Sequence, residues 1–209
     1  MLSIFNFEKR YPSGFEVKID SLQLGQGIHL VLGGNGSGKS TLLKALAGIH
    51  PAKGNVLLDG TSLAKQPTEY RRKIGFAEAE PHFPQFLSLT DLTAFVAKAK
   101  SAPTSEIEDL TSRFGTDHFS SYPIGGYSSG MLKKTALILA FLGHPRLIIL
   151  DEPFTTIDAE TQYQLIQLIQ KRASEGTSFL ITSHQQNPLS QVNIQSILRM
   201  DAGKIKPHG

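Results

Sequence analysis

Cysteine and tryptophan are absent from this chain of 209 residues. Without cysteine the chain can form neither disulfide bonds nor cysteine metal sites, which is compatible with a reducing compartment. The sequence also lacks any run of about 18 uninterrupted apolar residues, the length that a membrane-spanning helix requires. The amino-terminal segment carries charges from Glu8 onward and contains no apolar core of signal-peptide length. We therefore expect a soluble protein.

Neither sign of charge is in large excess, because 21 basic residues and 18 acidic residues give a net charge of +3. The basic residues are spread along the chain without a basic block, so charge gives no reason to expect nucleic-acid binding. Apolar residues make up 40% of the sequence and charged residues 19%, which is ordinary for a globular protein. The length is sufficient for a single domain, residues 1–209, with a substantial core.

The sequence contains two kinds of strand pattern. In the segment SGFEVKI the apolar residues Phe15, Val17 and Ile19 alternate with polar ones, which predicts antiparallel strands near the amino terminus. The runs IHLVL, RLIIL and SFLITS are almost entirely apolar, as in parallel strands that are covered on both faces. The segment ILRMDAGKIKP predicts a closing hairpin around Ala202-Gly203.

Helical patterns alternate with these strands and dominate from about residue 81 to residue 144. The patterns Ser88-x-x-Asp91 and Ser105-x-x-Glu108 predict two capping boxes that open helices. Asp158 predicts the N-cap of a later amphipathic helix. The alternation predicts an α/β fold with a mainly parallel sheet, an amino-terminal antiparallel β subdomain and an inserted helical subdomain.

A glycine-rich loop, GGNGSGKST, lies between the run IHLVL and a predicted helix. It fits the phosphate-loop pattern, in the strand-before, helix-after context that the pattern requires. Glycines let successive backbone N–H groups face a phosphate, and the helix N-terminus adds the positive end of its dipole. Lys39 is predicted to bridge the β- and γ-phosphates of a nucleotide, and the Ser40 hydroxyl to ligate Mg²⁺. The predicted phosphate-binding residues are Gly33, Gly34, Asn35, Gly36, Ser37, Gly38, Lys39, Ser40 and Thr41.

A pair of acidic residues follows the apolar strand of RLIILDEP. Asp151 is predicted to hold the Mg²⁺ ion, through water, and Glu152 to polarise the attacking water. With the glycine loop, this pair indicates a P-loop NTPase core. We assign residues 1–75 and 145–209 to the nucleotide-binding core and residues 76–144 to the helical subdomain.

The order of these motifs resembles that of the ATP-binding-cassette (ABC) ATPases along nearly the whole chain. The segment YSSGMLKK, residues 127–134, resembles the family signature in a YSxGM form. Ser128 and the N–H groups of Ser129 and Gly130 are expected at a helix N-terminus, which is a second anion-binding device. The resemblance implies that this site faces the γ-phosphate held by another subunit, so that two chains enclose two ATP molecules.

Further residues are assigned by the same resemblance. Tyr11 matches the aromatic residue that stacks on adenine, and Phe15 is the reserve candidate for that role. His184 matches the switch histidine that contacts the γ-phosphate and orders the attacking water. The segment TTID matches a loop that crosses the dimer interface, in addition to the N-cap role of Asp158.

The chain departs from the family pattern at the glutamine loop, where Ala79 takes the place of the glutamine. Alanine offers no side-chain oxygen to Mg²⁺ or water, so Glu78, Glu80 or a water molecule is left to fill that position, and Glu80 is favoured. Other departures are Gly34, Ser129 and Met131. Ser129 adds a hydroxyl at the γ-phosphate clamp, which implies slow hydrolysis.

The resemblance implies a catalytic set of Lys39, Glu152 and His184, with ATP and Mg²⁺ as cofactors. The expected partners are a second ATPase subunit, most simply a homodimer, and an integral-membrane transporter subunit. The chain would then lie in the cytoplasm on the inner face of the membrane. The apolar cluster Phe76, Phe83, Phe86 and Leu87 could contact the membrane subunit or belong to the helical core.

Two other functions are compatible with a phosphate loop. A non-transport ABC ATPase that acts on nucleic acid or ribosomes would usually carry long coiled-coil insertions, tandem cassettes or basic tails. Here Lys39 and Ser128 are 89 residues apart, which is an ordinary transporter spacing, and no heptad run lies between them. A P-loop small-molecule kinase would leave YSSGM and the position of His184 unexplained. The YSxGM form favours an exporter, while the sequence does not identify the transported substrate.

Overall fold

The computed structural model describes residues 1–183 and 189–207. In this part of the chain the first strands form an antiparallel sheet in the order β2-β1-β4-β5. Its strands are β1 (Leu2–Arg10), β2 (Glu16–Leu24), β4 (Lys53–Leu58) and β5 (Thr61–Ser62). Val17 and Ile19 of β2 are buried and the residues between them are not, so the alternating pattern has the predicted effect.

The second sheet has six strands in the order β10-β9-β3-β8-β7-β6. The pairs from β9 to β6 are parallel, and β10 closes the predicted hairpin antiparallel to β9. These strands are β3 (Ile28–Leu32), β6 (Ile74–Ala77), β7 (Leu147–Asp151), β8 (Ser178–Ser183), β9 (Ile194–Asp201) and β10 (Lys204–Pro207).

Six α-helices cover the sheets in the described residues. They are α1 (Lys39–Leu46), α2 (Pro67–Arg72), α3 (Leu89–Lys100), α4 (Thr104–Arg113), α5 (Ser129–Phe141) and α6 (Ala159–Ser174). None of them is both long enough and apolar enough to cross a lipid bilayer.

The parallel sheet separates two apolar clusters. Alternate residues of β7 show this, because Ile148 and Leu150 pack in one cluster with Leu137 of α5, while Ile149 packs in the other with Leu43 of α1. All five residues of β7 are therefore buried. This two-sided burial explains why the strand is an unbroken apolar run up to its terminal aspartate.

The predicted fold class is confirmed, and so are two of the three predicted helix caps. Ser88 forms a capping box with Asp91, and Asp158 caps α6. The capping box at Ser105 is wrong, because α4 already begins at Thr104, after Pro103, and has no side-chain cap. Ser105 therefore lies within the first turn of the helix.

The short elements α2 and β6 were missed in the sequence. Strand β6 consists of only the four residues IGFA, and it is defined by its parallel pairing with β7. Gly75 in this strand lies directly against α5, since a Cβ atom placed on it would be 1.9 Å from the Ala140 carbonyl oxygen. The strand is thus specified by its neighbours rather than by a local pattern.

Candidate nucleotide site

The glycine-rich loop joins β3 to α1 and curls tightly over the end of the strand. Gly36 and Gly38 have φ angles of 76° and 105°, in the left-handed region that side chains disfavour. A Cβ atom on Gly33 would lie 2.4 Å from the Met200 carbonyl oxygen and 2.7 Å from the Ser37 hydroxyl. Glycine is therefore required here by backbone angle at two positions and by close packing at a third.

Lys39 directs its ammonium group back into the loop. Its Nζ atom donates hydrogen bonds to the carbonyl oxygens of Gly33, at 2.7 Å, and Gly34, at 3.2 Å. The same Nζ lies 3.9 Å from Oε1 of Glu152, and the lysine side chain is only 7% exposed. A buried cation thus lies between the loop and the acidic residue that follows β7.

Asp151 is buried at the end of β7, and one of its two carboxylate oxygens is satisfied. Oδ1 accepts a 2.6 Å hydrogen bond from the Thr182 hydroxyl, whereas Oδ2 is buried and has no hydrogen-bond partner in the described residues. A buried carboxylate oxygen left without a donor is costly unless a cation binds it. Together with the Ser40 hydroxyl it offers the hard oxygen ligands that suit Mg²⁺.

Glu152 has a φ of 45°, the left-handed conformation, which costs about 1 kcal/mol or more for a side chain that is not glycine. Its peptide is held from both sides. The Glu152 N–H donates to the Thr182 hydroxyl at 3.0 Å, and the Glu152 carbonyl accepts from the Thr155 hydroxyl at 2.8 Å. Thr182 therefore orients both acidic residues, a role that no sequence motif predicted.

A cavity of about 710 Å³ opens between the loop and the acidic pair. In the described residues it is lined by Phe15, Gly34, Asn35, Gly36, Ser37, Gly38, Lys39, Ser40, Thr41, Ala79, Glu80, Asp151, Glu152, Thr155 and Thr156. Eight predicted phosphate-binding residues and both acidic residues thus meet in one space. Gly33 lies beneath the loop, where its carbonyl accepts from Lys39.

The two aromatic candidates for base stacking occupy different positions. The Phe15 ring lines the cavity and comes within 3.2 Å of a Cβ atom built on Gly38. The Tyr11 ring lies 6.4 Å from the Phe15 ring, with its hydroxyl 3.3 Å from the Thr41 hydroxyl and the Lys9 ammonium 5.4 Å from its centre. Phe15, the reserve candidate, is the one that faces the cavity.

The glutamates beside Ala79 also point to different places. The Glu78 carboxylate forms an ion pair with Lys44 of α1 at 3.0 Å. Glu80 and Ala79 line the nucleotide cavity. Of the two stand-ins considered from the sequence, Glu80 is the one next to the phosphate loop and Asp151.

The signature residues lie at the exposed N-terminus of α5. Ser128 is the N-cap, and its hydroxyl accepts a 3.3 Å hydrogen bond from the Met131 N–H. Ser128 and Ser129 are exposed, Gly130 is partly exposed, and none of the three lines the cavity described above. Within one chain, the signature residues therefore do not line the cavity of the phosphate loop. His184 lies outside the described residues.

The segment before α6 contains the predicted N-cap Asp158 and lies next to the signature helix. Asp158 accepts a 2.7 Å hydrogen bond from the Thr161 N–H, which lowers the pKa of its carboxyl to about 2. Its carboxylate is also 3.3 Å from the Lys134 ammonium of α5. Thr156 approaches α5 as well, with its carbonyl 2.9 Å from a Cβ atom built on Gly130.

Lys133 is a second buried lysine beside the acidic pair, and no sequence motif predicted it. It is fully buried, and burial lowers the pKa of its ammonium to about 8, against the raising effect of Asp151 and Glu152. Its Nζ donates to backbone carbonyls of the residues that follow β6 and of those at the end of β7.

The apolar cluster predicted at residues 76–87 is divided by the structure. Phe76 and Phe83 are half-buried and line a cleft of about 190 Å³ together with Ile49 and Leu139. Phe86 is 80% exposed. The cleft lies between the end of α1 and the middle of α5, so it adjoins both apolar clusters of the protein.

Comparison with known proteins identifies a family. Residues 17–155 match the family described as ABC transporter. The cytochrome c biogenesis ATP-binding export protein CcmA of Legionella pneumophila is 31% identical over 164 residues, which cover 78% of this chain and 82% of that protein. The phosphonates import ATP-binding protein PhnC 2 of a Synechococcus strain is 29% identical over an alignment of 225 residues, which covers 98% of this chain and 83% of that protein.

Solved structures share the fold over the whole chain. The structure of an ATP-binding subunit of an ABC transporter has a TM-score of 0.89 at 24% identity, covering 100% of this chain and 89% of that one. A dimeric, post-hydrolysis ATP-binding cassette bound to ADP and phosphate has a TM-score of 0.83 at 20% identity, with full coverage of both chains.

Proposed function

Because this chain belongs to the ABC transporter family, whose ATP-binding subunits hydrolyse ATP, we propose that it is the ATPase subunit of a membrane transporter and couples hydrolysis to transport. The observation that carries the proposal is the pairing of Lys39 with an acidic residue across one cavity, beside a buried Asp151 oxygen that has no donor among the described residues. This cavity has the positive groups that a triphosphate requires and oxygen atoms that suit a divalent cation.

In the proposed complex, the N–H groups of the loop and of the α1 N-terminus hold the phosphates. The Lys39 ammonium leaves the loop carbonyls and bridges the β- and γ-phosphates. The Ser40 hydroxyl and Asp151 would hold Mg²⁺, which supplies charge neutralisation between the β- and γ-phosphates. The fixed positive groups then stabilise the charge of the transition state, which is the main source of rate in phosphoryl transfer.

Glu152 is proposed as the general base, since its carboxylate reaches the cavity and its peptide is fixed by Thr182. His184 is proposed, from the family resemblance, to contact the γ-phosphate. Phe15 is the better placed residue for stacking on the base, and Tyr11 lies behind it next to Thr41.

Glu80 is proposed to replace the missing glutamine of the glutamine loop, because it lines the cavity while Glu78 is paired with Lys44. Glu80→Ala should then raise the concentration of Mn²⁺ needed for half-saturation of the nucleotide complex several-fold, as measured by electron paramagnetic resonance. Glu78→Ala is the matched control. Equal Mn²⁺ affinity in the two variants would rule out this role for Glu80.

A second copy of the chain is proposed to complete each site with its signature residues. Ser128, Ser129 and Gly130 lie at an exposed helix N-terminus outside their own chain's cavity, where a γ-phosphate held by another chain could reach them. The dimeric structure with the same fold supports this arrangement. ATP would then shift the population from open to closed dimers, and hydrolysis would reverse the shift.

The membrane subunit is proposed to dock at the cleft of Ile49, Phe76 and Phe83, which lies next to the loop that carries Ala79 and Glu80. That position would place the ATPase at the cytoplasmic face of the membrane.

We propose residues 76–144 as the helical subdomain, since in this fully described stretch α3, α4 and α5 follow the end of β6. Export is the proposed direction, on the YSxGM signature and the similarity to an export protein, although an import protein is similar as well.

The proposal is tested by nucleotide binding and turnover of the purified chain. Lys39→Ala should abolish ATP binding, measured by titration calorimetry, and should abolish phosphate release. Lys44→Ala is the control. Lys44 belongs to the same helix as Lys39 but forms its ion pair with Glu78, so this variant should bind ATP with wild-type affinity. Unchanged ATP affinity in Lys39→Ala would refute the site. Co-purification from solubilised membranes should then identify the integral-membrane partner.

A further inference from the structure

Lys133 lies in the second turn of the signature helix, and none of its surface is accessible. Its ammonium group shares its three N–H donors among four backbone carbonyls. Two belong to the loop after β6, with Nζ 3.0 Å from the Glu78 oxygen and 2.6 Å from the Ala79 oxygen. Two belong to the end of β7, with Nζ 3.4 Å from the Asp151 oxygen and 3.1 Å from the Glu152 oxygen.

This arrangement differs from ordinary burial of a lysine. A buried charge is costly unless it is paired, and no ion pair of Lys133 is found in the described residues. Instead its hydrogen bonds connect two segments that follow the neighbouring strands β6 and β7 and contribute residues to the lining of the nucleotide cavity. One carries Ala79 and Glu80, and the other carries the two acidic residues.

The bond to Glu152 is the one with the clearest consequence. Glu152 adopts a left-handed backbone conformation, and its carbonyl direction depends on that conformation. The Thr155 hydroxyl and the Lys133 ammonium both bind this carbonyl, whereas Thr182 binds the N–H on the other side. Since the backbone conformation sets the direction of the Cα–Cβ bond, these contacts fix the point from which the Glu152 side chain extends toward its carboxylate.

We propose that Lys133 is a positioning residue that links the signature helix to the peptide of the proposed general base and to the loop of Ala79 and Glu80. This inference rests on the proposed ATPase function. The departure at Ala79 fits it, because a backbone carbonyl at that position needs no particular side chain to accept from Lys133. In the proposed dimer, the N-terminus of α5 faces the partner's ATP, so the same helix contacts one nucleotide site and orients the base of the other.

The kinetic test compares two lysines whose ammonium groups bind backbone carbonyls. Lys133→Met keeps the apolar length of the side chain and removes the ammonium. Lys100→Met is the matched control, since Lys100 is half-buried and its ammonium donates to a backbone carbonyl of β6, that of Ile74, at the opposite end of the strand. We expect kcat to fall at least tenfold in Lys133→Met, with ATP affinity changed less than threefold. Lys100→Met should retain both values.

A double variant separates positioning from a loss of stability. If Lys133 acts through Glu152, Lys133→Met should not lower the residual turnover of Glu152→Ala any further, because the group that it positions is gone. A general weakening of the fold would reduce the turnover of Glu152→Ala by the same factor as that of the wild type. That result would overturn the proposal.

Hydrogen exchange provides a readout that does not depend on hydrolysis. In Lys133→Met, exchange should accelerate at residues 78–80 and 152–155 together, and Lys100→Met should leave both segments unchanged. Inactivity of the wild type with ATP would count against the proposed function, while the exchange result would still decide the link made by Lys133. Wild-type exchange at both segments would overturn it.

Discussion

At the scale of single residues, two aromatic rings are candidates for one role at the mouth of the cavity. Phe15 lines the cavity and Tyr11 lies behind it. We expect Phe15→Ala to weaken ATP binding about tenfold, because stacking of a base on an aromatic ring contributes about 1–3 kcal/mol. Tyr11→Phe, which removes only the hydroxyl near Thr41, should bind ATP with nearly wild-type affinity. Titration calorimetry gives both values.

Inorganic tripolyphosphate is the control ligand for this prediction. It contacts the phosphate loop and carries no base, so Phe15→Ala should bind it as the wild type does. If affinity for tripolyphosphate falls as much as affinity for ATP, Phe15 supports the loop, which its contact with Gly38 would allow, and does not stack on the base.

The sequence predicted the residues of the site whose chemistry depends on a local pattern. The glycine loop and the acidic pair Asp151 and Glu152 are contiguous motifs, and the structure brings them into one cavity. Thr182 and Lys133 were missed because their partners are distant in sequence. Lys133 binds only carbonyls, which every residue possesses, so no residue type in the partner segments could have indicated the contact.

At the scale of elements, the packing of β6 on α5 depends on one glycine. A Cβ atom on Gly75 would lie 1.9 Å from a backbone oxygen of α5, which cannot move aside as a flexible side chain could. Gly75→Ala should therefore lower the free energy of unfolding by about 2 kcal/mol or more. Gly25→Ala is the control, since the space around Gly25 is open and the change should be small. Urea unfolding followed by circular dichroism measures both, and equal midpoints would contradict the close packing.

The buried ammonium of Lys100 should make the stability of the protein depend on pH. Burial lowers the pKa of Lys100 from 10.5 to about 8, with Glu106 acting in the opposite direction. Between these values the unfolded chain binds more protons than the folded chain, so stability contributed by this group increases from pH 8 to pH 10.5. The slope can approach about 1.4 kcal/mol per pH unit for one proton.

Lys100→Met should therefore show a shallower increase in unfolding free energy than the wild type over this range. The buried Lys133 is present in both proteins, so its own contribution cancels in the comparison. Urea unfolding at pH 8.5 and at pH 10 measures the difference. Parallel slopes in the two proteins would show that the pKa of Lys100 is not lowered.

The elements that the sequence predicted well are those whose burial pattern is complete within the segment. The unbroken apolar run of β7 indicates a strand that is covered on both faces. The alternation of apolar and polar residues in β2 indicates a strand that is covered on one face. The capping box at Ser88 was predicted correctly, whereas Ser105 has the same pattern and does not form one. The difference is that α4 begins at Thr104, directly after Pro103, so Ser105 already lies inside the first turn and does not occupy the N-cap position.

At the scale of the whole molecule, the signature residues of one chain lie outside the cavity that its own phosphate loop lines. In the proposal one chain supplies the loop and the acidic pair for a triphosphate, and the N-terminus of α5 is exposed for a second chain. In the proposed dimer a twofold axis brings the phosphate loop of each chain to the signature of the other. Both chains therefore contribute each of these two surfaces once, and the dimer contains two complete sites. Such an interface is self-complementary, as expected for a homodimer.

Glu152→Gln tests this arrangement, because it removes the proposed base and keeps the size of the side chain. With ATP and Mg²⁺ it should form a stable dimer that size-exclusion chromatography with light scattering detects, while the wild type returns to monomers as hydrolysis proceeds. Adding Ser129→Glu should abolish this dimer, since the new carboxylate at the exposed N-terminus of α5 would repel the γ-phosphate of the other chain. The double variant should still bind ATP as a monomer through its own loop. A Glu152→Gln protein that stays monomeric with saturating ATP, or a dimer that survives Ser129→Glu, would show that the signature does not close the site of a second copy.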